Sequence, residues 1–447
     1  MSLINRIISK LNLSTTKEKV IRNVVWAVTG KVVTLLGSLL VGIFVARYLG
    51  PDQYGLMSYV VSYVSIFQVL AAFGLDNIEI REESRSPEEK DKILGTAFSI
   101  KVTLAAIAIL LVALTVWLFE ADSFTKWMII LYSISMIANS FGVIRNYFTS
   151  LVWNEYVVKT EITRTFIGAA IKVGLLLLQA PLVWFIVATL LDTILIAGGY
   201  IVSYRRKVDS VRKWTFDMGM AKFMIKQSFP LAVSLSAVLI YHRLDQVMVG
   251  KLLTNTELGY YSVACKFTEI IMFIPTILTQ TITPILVRIH KANFDEYRAK
   301  TQLFVNITVW VCIIMSIIVA FCSHIIIICT FGAQYLPATI ILQVLSFKTV
   351  GDALSSTAGH MIIIEGKQQY AWIRSVTACF VCVGLNLICI PRWGTIGTAI
   401  ASILTYLYAG TFSNIFIPKY WFVLKTQLIA LFWGWRDLFK LKQLLQS

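Results

Sequence analysis

The chain has 447 residues, of which 57% are hydrophobic and 14% charged, and its formal net charge is +16. A soluble domain has about 25% charged residues, so this composition excludes an ordinary soluble protein and indicates a chain that lies in lipid. The Lys and Arg residues occupy the gaps between long apolar blocks. This placement is typical of membrane orientation and argues against nucleic-acid binding.

The first segment, residues 1–22, is predicted to be an amphipathic helix on the cytoplasmic surface of the membrane. Its apolar residues Leu3, Ile4 and Ile7 share one helical face, which suits a helix lying in the lipid headgroup region. No long apolar run begins within the first twenty or so residues, so we expect no cleaved signal peptide.

The apolar blocks predict an all-α integral membrane protein with twelve transmembrane helices. Each block is long enough to cross a hydrocarbon core of about 30 Å. The predicted spans are 23–46, 56–75, 93–119, 127–149, 160–179, 182–204, 227–250, 259–287, 303–329, 336–364, 370–390 and 395–417.

The basic residues predict that both termini are cytoplasmic. With that orientation about thirty cations lie inside and about four outside, as the positive-inside rule requires. The chain then divides into a six-helix bundle (23–204), a basic cytoplasmic linker (205–226), a second six-helix bundle (227–417) and a basic amphipathic tail (418–447). The gaps between spans leave no room for a soluble catalytic domain.

Two hairpins in the two halves are similar in sequence. Residues 45–58 read VARYLGPDQYGLMS and residues 249–262 read VGKLLTNTELGYYS, so each copy has a cation at the end of one helix and Gly-x-x-Ser at the start of the next. Six spans separate the copies, which therefore run in the same direction. This pattern predicts two parallel bundles around a central cavity, an arrangement that recurs among secondary transporters.

At these residues the chain resembles a known family. Residues 46–55 (ARYLGPDQYG), 245–250 (DQVMVG) and 259–264 (GYYSVA) resemble the Wzx-like polysaccharide flippases of the multidrug/oligosaccharidyl-lipid/polysaccharide exporter superfamily. Pro275 and Pro284 fit this resemblance too. The motif residues that carry it, to which we assign a structural role, are Arg47, Gly50, Pro51, Tyr54, Gly55 and Gly259.

The resemblance implies a function in glycan assembly at the bacterial inner membrane. Such a flippase moves undecaprenyl-diphosphate-linked oligosaccharide repeat units from the inner to the outer leaflet for O-antigen, capsule or exopolysaccharide assembly. Alternating access of the two bundles is implied, with a polysaccharide polymerase and a chain-length regulator as further partners. A drug or metabolite exporter of the same superfamily is the alternative. A membrane polymerase or acyltransferase is disfavoured, since no nucleophile–base–orienter set is readable and no large outer loop is present.

Ionisable residues inside the predicted spans are candidate functional residues, because a charge in the membrane is costly. Cations suit a diphosphate cargo, and we assign substrate binding to Lys31, Lys101, Lys172, Arg243, Lys266 and Lys348. Carboxylates are candidates for ion or proton coupling, and these are Asp192, Asp245, Glu269 and Asp352.

Each charge also has a structural interpretation. Lys266 with Glu269 and Lys348 with Asp352 have the spacing of intrahelical ion pairs, and Lys172 and Asp192 lie at matching depth on consecutive helices. Lys31 and Lys101 are able to snorkel to the membrane surface. The pathway candidates ranked highest are Arg243 and Lys31, which have no opposite charge three or four residues away.

We predict no metal site and no cofactor. The seven cysteines lie in apolar stretches, and the Cys379-x-x-Cys382 pair has no second pair or His cluster nearby to complete a zinc site. Buried reduced thiols are the favoured interpretation.

Overall fold

The computed structural model describes residues 15–438 and residue 440. This part of the chain is helical and contains no β-strand. Residues 1–14, for which we predicted a surface helix, lie outside the described residues. The α-helices are α1 (Thr15–Ala72), α2 (Leu75–Arg85), α3 (Lys90–Phe119), α4 (Ser123–Ser133), α5 (Ser135–Asn139), α6 (Gly142–Ser150), α7 (Asn154–Leu177), α8 (Leu182–Lys207), α9 (Met218–Leu252), α10 (Asn255–Ile271), α11 (Phe273–Ala292), α12 (Phe294–Thr330), α13 (Ala338–Leu345), α14 (Lys348–Ile364), α15 (Ala371–Gly410) and α16 (Trp421–Trp433).

Many of these helices are long and apolar enough to span a bilayer. Within the described residues seven segments meet this condition by length and composition, or eight if the helix bent at Pro230 counts as one span. The all-α membrane architecture is therefore confirmed, whereas the count of twelve spans stays a prediction.

Two predicted span boundaries coincide with breaks at glycine. Helix α1 has a non-helical residue at Gly50, with a φ of 71°, directly before Pro51. Helix α15 has one at Gly394, with a φ of 55°, three residues after Pro391. Glycine tolerates this left-handed backbone and proline removes a helical hydrogen bond, so each long helix is two helices joined at a kink.

Unit 1 comprises the chain up to Tyr48 and from Tyr63 to Ala232. Its core is an apolar cluster to which α2, α3, α6 and α8 contribute, with Leu75, Ile93, Ile144 and Tyr204 among the buried members. At the N-terminus of α4, the Asp122 carboxylate caps the helix by accepting hydrogen bonds from the hydroxyl and backbone N–H of Thr125, and these bonds lower the pKa of Asp122.

The segment after α8 packs on unit 1. The Trp214 ring contacts Phe98 with ring centroids 5.4 Å apart, and the backbone N–H of Thr215 donates to the carbonyl of Asp91 at 3.1 Å. A side chain at Gly95 would overlap the backbone of Thr215. Part of the predicted linker is therefore ordered against α3.

Unit 2 comprises Leu49–Ser62 and the chain from Val233 onward. Its core is built on α11, α12 and α14, and α16 packs against it through Val423 and Ala430. The Gln427 amide donates hydrogen bonds to the carbonyls of Leu354 and Gly410 at 2.8 and 2.9 Å. Part of the predicted tail therefore belongs to the folded body of unit 2.

Candidate substrate-binding site

A buried ion cluster in unit 1 surrounds Lys101. Its ammonium lies 2.7 Å from the carboxylates of both Asp76 and Glu79, and its side chain is only 5% exposed. The Asn146 amide donates to the same two carboxylates, at 2.9 and 2.5 Å. Lys101 therefore does not snorkel to the membrane surface, because two carboxylates hold it inside the protein.

Asp76 and Glu79 were missing from the predicted site. They lie three residues apart on α2, so both face α3. The predicted spans place both residues in the loop between the second and third spans. Two carboxylates at helical spacing directly after an apolar span are the signal that would have found them.

A pocket of about 380 Å³ lies beside this cluster, lined entirely by residues of unit 1. Arg145 faces Glu161 across 3.7 Å in its lining, and the Tyr200 hydroxyl donates to Glu161 at 3.2 Å. Asp76 also lines the pocket, with 57% of its side chain exposed. The pocket wall therefore combines cations, carboxylates and hydrogen-bonding groups.

Two further predicted residues of unit 1 form an ion pair. Lys172 on α7 lies 2.5 Å from the carboxylate of Asp192 on α8, which confirms the pairing expected from their matching depth. Of the remaining unit 1 candidates, Lys31 and Arg47 are exposed. Lys31 therefore has its charge at the protein surface rather than inside the helix packing.

A second buried network lies in unit 2 around Asp245. This carboxylate is 1% exposed and accepts hydrogen bonds from Tyr261 at 2.6 Å, Ser402 at 2.9 Å and Lys348 at 3.4 Å. The expected pairing of Lys348 with Asp352 is wrong, because the Lys348 side chain crosses to another helix. Its ammonium also lies 4.6 Å from the centre of the Tyr406 ring.

A third group of charges in unit 2 is more open. Arg243 lies 3.1 Å from Glu269, and Lys266 lies 3.9 Å from the same carboxylate. The three side chains are 37–46% exposed. Because two cations share one carboxylate, this triad has a net positive charge.

The two repeated hairpin motifs meet in unit 2. A side chain at Gly55 would overlap the carbonyl of Asn255, and a side chain at Gly259 would overlap the carbonyl of Pro51. Gly55 and Gly259, like Pro51 and Asn255, are 204 positions apart, so the contact is reciprocal. Only glycine permits this approach of the backbones.

Other motif residues support this contact. The Thr256 hydroxyl donates to Asp52 at 3.3 Å, again across 204 positions, and the buried Tyr54 ring meets Tyr335 edge-on. These positions give the motif a packing function.

Among the described residues no group of three or more metal-ligating side chains converges.

The sequence matches the polysaccharide biosynthesis protein family over residues 20–290, more than half of the chain. The chain belongs to this family. Sequence comparison with curated proteins finds no match.

Several solved structures have a similar fold. An inward-closed conformation of the lipid II flippase MurJ is 18% identical, with a TM-score of 0.61 and coverage of 93% of this chain and 92% of that chain. An inward-facing multidrug resistance MATE family transporter is 13% identical, with a TM-score of 0.64 and coverage of 92% and 96%. A MOP superfamily transporter from Pyrococcus furiosus is 14% identical, with a TM-score of 0.56 and coverage of 96% and 97%. The chain therefore has the fold of MOP superfamily transporters and flippases.

Proposed function

We propose that this protein is a flippase of the bacterial inner membrane. It moves undecaprenyl-diphosphate-linked oligosaccharide repeat units from the inner to the outer leaflet by alternating access, with both termini in the cytoplasm. The products supply O-antigen, capsule or exopolysaccharide assembly, in which a polymerase and a chain-length regulator act next.

The family match carries this proposal. A polysaccharide biosynthesis family whose member has the fold of a lipid II flippase is the combination expected of a protein that moves lipid-linked sugars. A membrane-embedded transporter meets these sugars as lipid-linked intermediates, since a free polysaccharide has no anchor in the bilayer.

The charge distribution supports an anionic cargo. A diphosphate leaving the interfacial water needs cations to replace its hydration, because an unpaired charge is costly in a medium of low dielectric constant. The partly exposed Arg243–Lys266–Glu269 triad offers two cations with one carboxylate between them. We assign the diphosphate contact to Arg243 and Lys266.

Complementation tests the proposal. A strain that makes lipid-linked repeat units but lacks its own flippase receives the wild type, Arg243→Ala or Lys266→Ala. We expect surface glycan with the wild type and none with either variant, while all three proteins insert normally. The matched controls Arg85→Ala and Lys213→Ala remove exposed cations elsewhere and retain export.

A parallel assay distinguishes the proposed flippase from a drug exporter of the same superfamily. The same plasmids in an efflux-deficient strain are expected to leave drug susceptibility unchanged. The proposal would be overturned if the wild-type protein, well expressed in a host that makes its matching repeat unit, conferred drug resistance without exporting glycan. Glycosyltransferase genes beside this gene would support it and would indicate which repeat unit the matched host must make.

A further inference from the structure

We infer that the unit 1 pocket binds a sugar ring of the cargo and selects a ring without negative charge. The inference rests on the proposed function, since it assigns the part of the lipid-linked glycan that this pocket receives. It also assigns a function to Asp76 and Glu161, two carboxylates that a simple diphosphate grip does not explain.

The charges around the pocket are not net positive, because two cations face three carboxylates. Lys101 is held by Asp76 and by Glu79 behind it, and Arg145 faces Glu161. A phosphate or uronate entering this pocket would approach carboxylates whose countercharges are already paired. Such like-charge contacts disfavour the wrong ligand, so the pocket suits a neutral polyhydroxyl compound.

The hydrogen-bonding groups of the pocket suit a sugar. Lys101 and Asn146 both donate to Oδ1 of Asp76, and within the described residues no hydrogen bond reaches Oδ2. This oxygen is free to accept a bond from a sugar hydroxyl, and the exposed Asp76 side chain places it at the pocket wall. A carboxylate acceptor forms a stronger bond than a neutral one.

The rest of the wall supplies amides and a phenol. The Asn139 amide donates to the Gln68 amide oxygen at 2.9 Å, which leaves the Gln68 amide nitrogen as a further donor for a ligand. Tyr200 lies beside Glu161 on another part of the wall. The volume of about 380 Å³ is at the lower end of the range for small-molecule sites, which suits a sugar ring rather than a whole repeat unit.

The buried unit 2 network around Asp245 provides a comparison. Asp245 is 1% exposed, and three donors from different helices surround it. The Lys101 network contains the same pairing of a buried lysine with a carboxylate, yet Asp76 opens onto a cavity. Helix packing alone does not require that opening, whereas ligand binding does.

Equilibrium binding to the purified full-length protein in mixed micelles tests the inference. Three probes are compared, which are undecaprenyl diphosphate carrying one glucose, the same lipid carrying one glucuronic acid, and bare undecaprenyl diphosphate. We expect the glucose probe to bind about tenfold more tightly than the glucuronic acid probe, about 1.4 kcal/mol. The two sugars differ only at the oxidised carbon, so the ratio reports charge selection.

Two charge-neutral variants locate the selection in the pocket. Asp76→Asn leaves the Lys101–Glu79 pair in place, and Glu161→Gln preserves the side-chain shape. Each is expected to reduce the glucose preference to about threefold or less, which is about 0.7 kcal/mol. Glu155→Gln, on the same helix as Glu161 but in an exposed ion pair with Lys159, is the matched control and keeps the full preference.

The outcomes separate this inference from the proposed function. Equal binding of all three probes, or a glucose preference that both variants retain, overturns the pocket assignment and leaves the flippase proposal standing. If none of the probes binds, the proposed function fails and the pocket assignment fails with it.

Discussion

The reciprocal contact between the two hairpin motifs gives the sharpest prediction. A methyl group at Gly55 would overlap the Asn255 carbonyl, and one at Gly259 would overlap the Pro51 carbonyl. These neighbours are backbone atoms, which cannot rotate away as a side chain does. We therefore expect Gly55→Ala and Gly259→Ala each to force the two helices apart.

The expected cost is that of overpacking a tight contact, about 1–3 kcal/mol in the free energy of unfolding for each substitution. This net value includes a gain of up to about 1 kcal/mol from the helix propensity of alanine. The two overlaps lie on the same pair of helices, so the first methyl group already opens the gap for the second. The double variant is therefore expected to lose less than the sum of the single losses, by about 0.5–2 kcal/mol.

Reversible unfolding of the purified protein by titration with sodium dodecyl sulfate in mixed micelles measures these differences. Gly384→Ala is the matched control, because Gly384 lies in helix α15 of the same unit and a side chain there meets nothing within 4 Å. We expect this control to be neutral or slightly stabilising. Single variants as stable as the wild type, or strictly additive losses, would refute the close reciprocal contact.

Three further predictions concern the charged clusters. Lys101→Met leaves Glu79 buried without its cation, at a cost of about 3–5 kcal/mol, and adding Glu79→Gln recovers part of this loss in the same unfolding titration. Lys348→Met removes one of three donors to Asp245, so we expect a smaller loss of about 1–3 kcal/mol, and unchanged stability would show that this pair is unimportant. Glu269→Gln leaves two cations without their shared carboxylate, so we expect bare undecaprenyl diphosphate to bind more tightly. A charge about 8 Å from the diphosphate contributes about 2 kcal/mol at an effective dielectric constant of 20. Solvent screening of these partly exposed side chains reduces the expected gain in affinity to about tenfold. Weaker binding would contradict the prediction.

The sequence was sufficient for the architecture because its strongest signals are local. Apolar block length identifies a membrane helix without reference to any other helix. The kinks at Gly50 and Gly394 also follow from local chemistry, since each combines a glycine with a proline within three residues. The span count is harder, because several blocks are built as two shorter helices, as with α13 and α14 in place of one predicted span.

The site was only partly predictable, because spacing along one helix cannot show partners on another. Lys172 and Asp192 were matched correctly because they lie on consecutive antiparallel helices, so their depths are comparable. Lys348 was matched with the wrong carboxylate, because its partner Asp245 lies 103 positions away. Arg243 ranked high for having no partner nearby in sequence, yet Glu269 reaches it from the next helix.

The net charge of each cluster is therefore a better guide to the cargo than the number of cations in the spans. Lys101 is paired with two carboxylates and Lys172 with one, so neither lysine gives its surroundings a net positive charge. Arg243 and Lys266 share a single carboxylate and remain partly exposed. If net positive charge grips a diphosphate, the unit 2 triad suits that contact, whereas the unit 1 pocket, where three carboxylates surround two cations, suits an uncharged group.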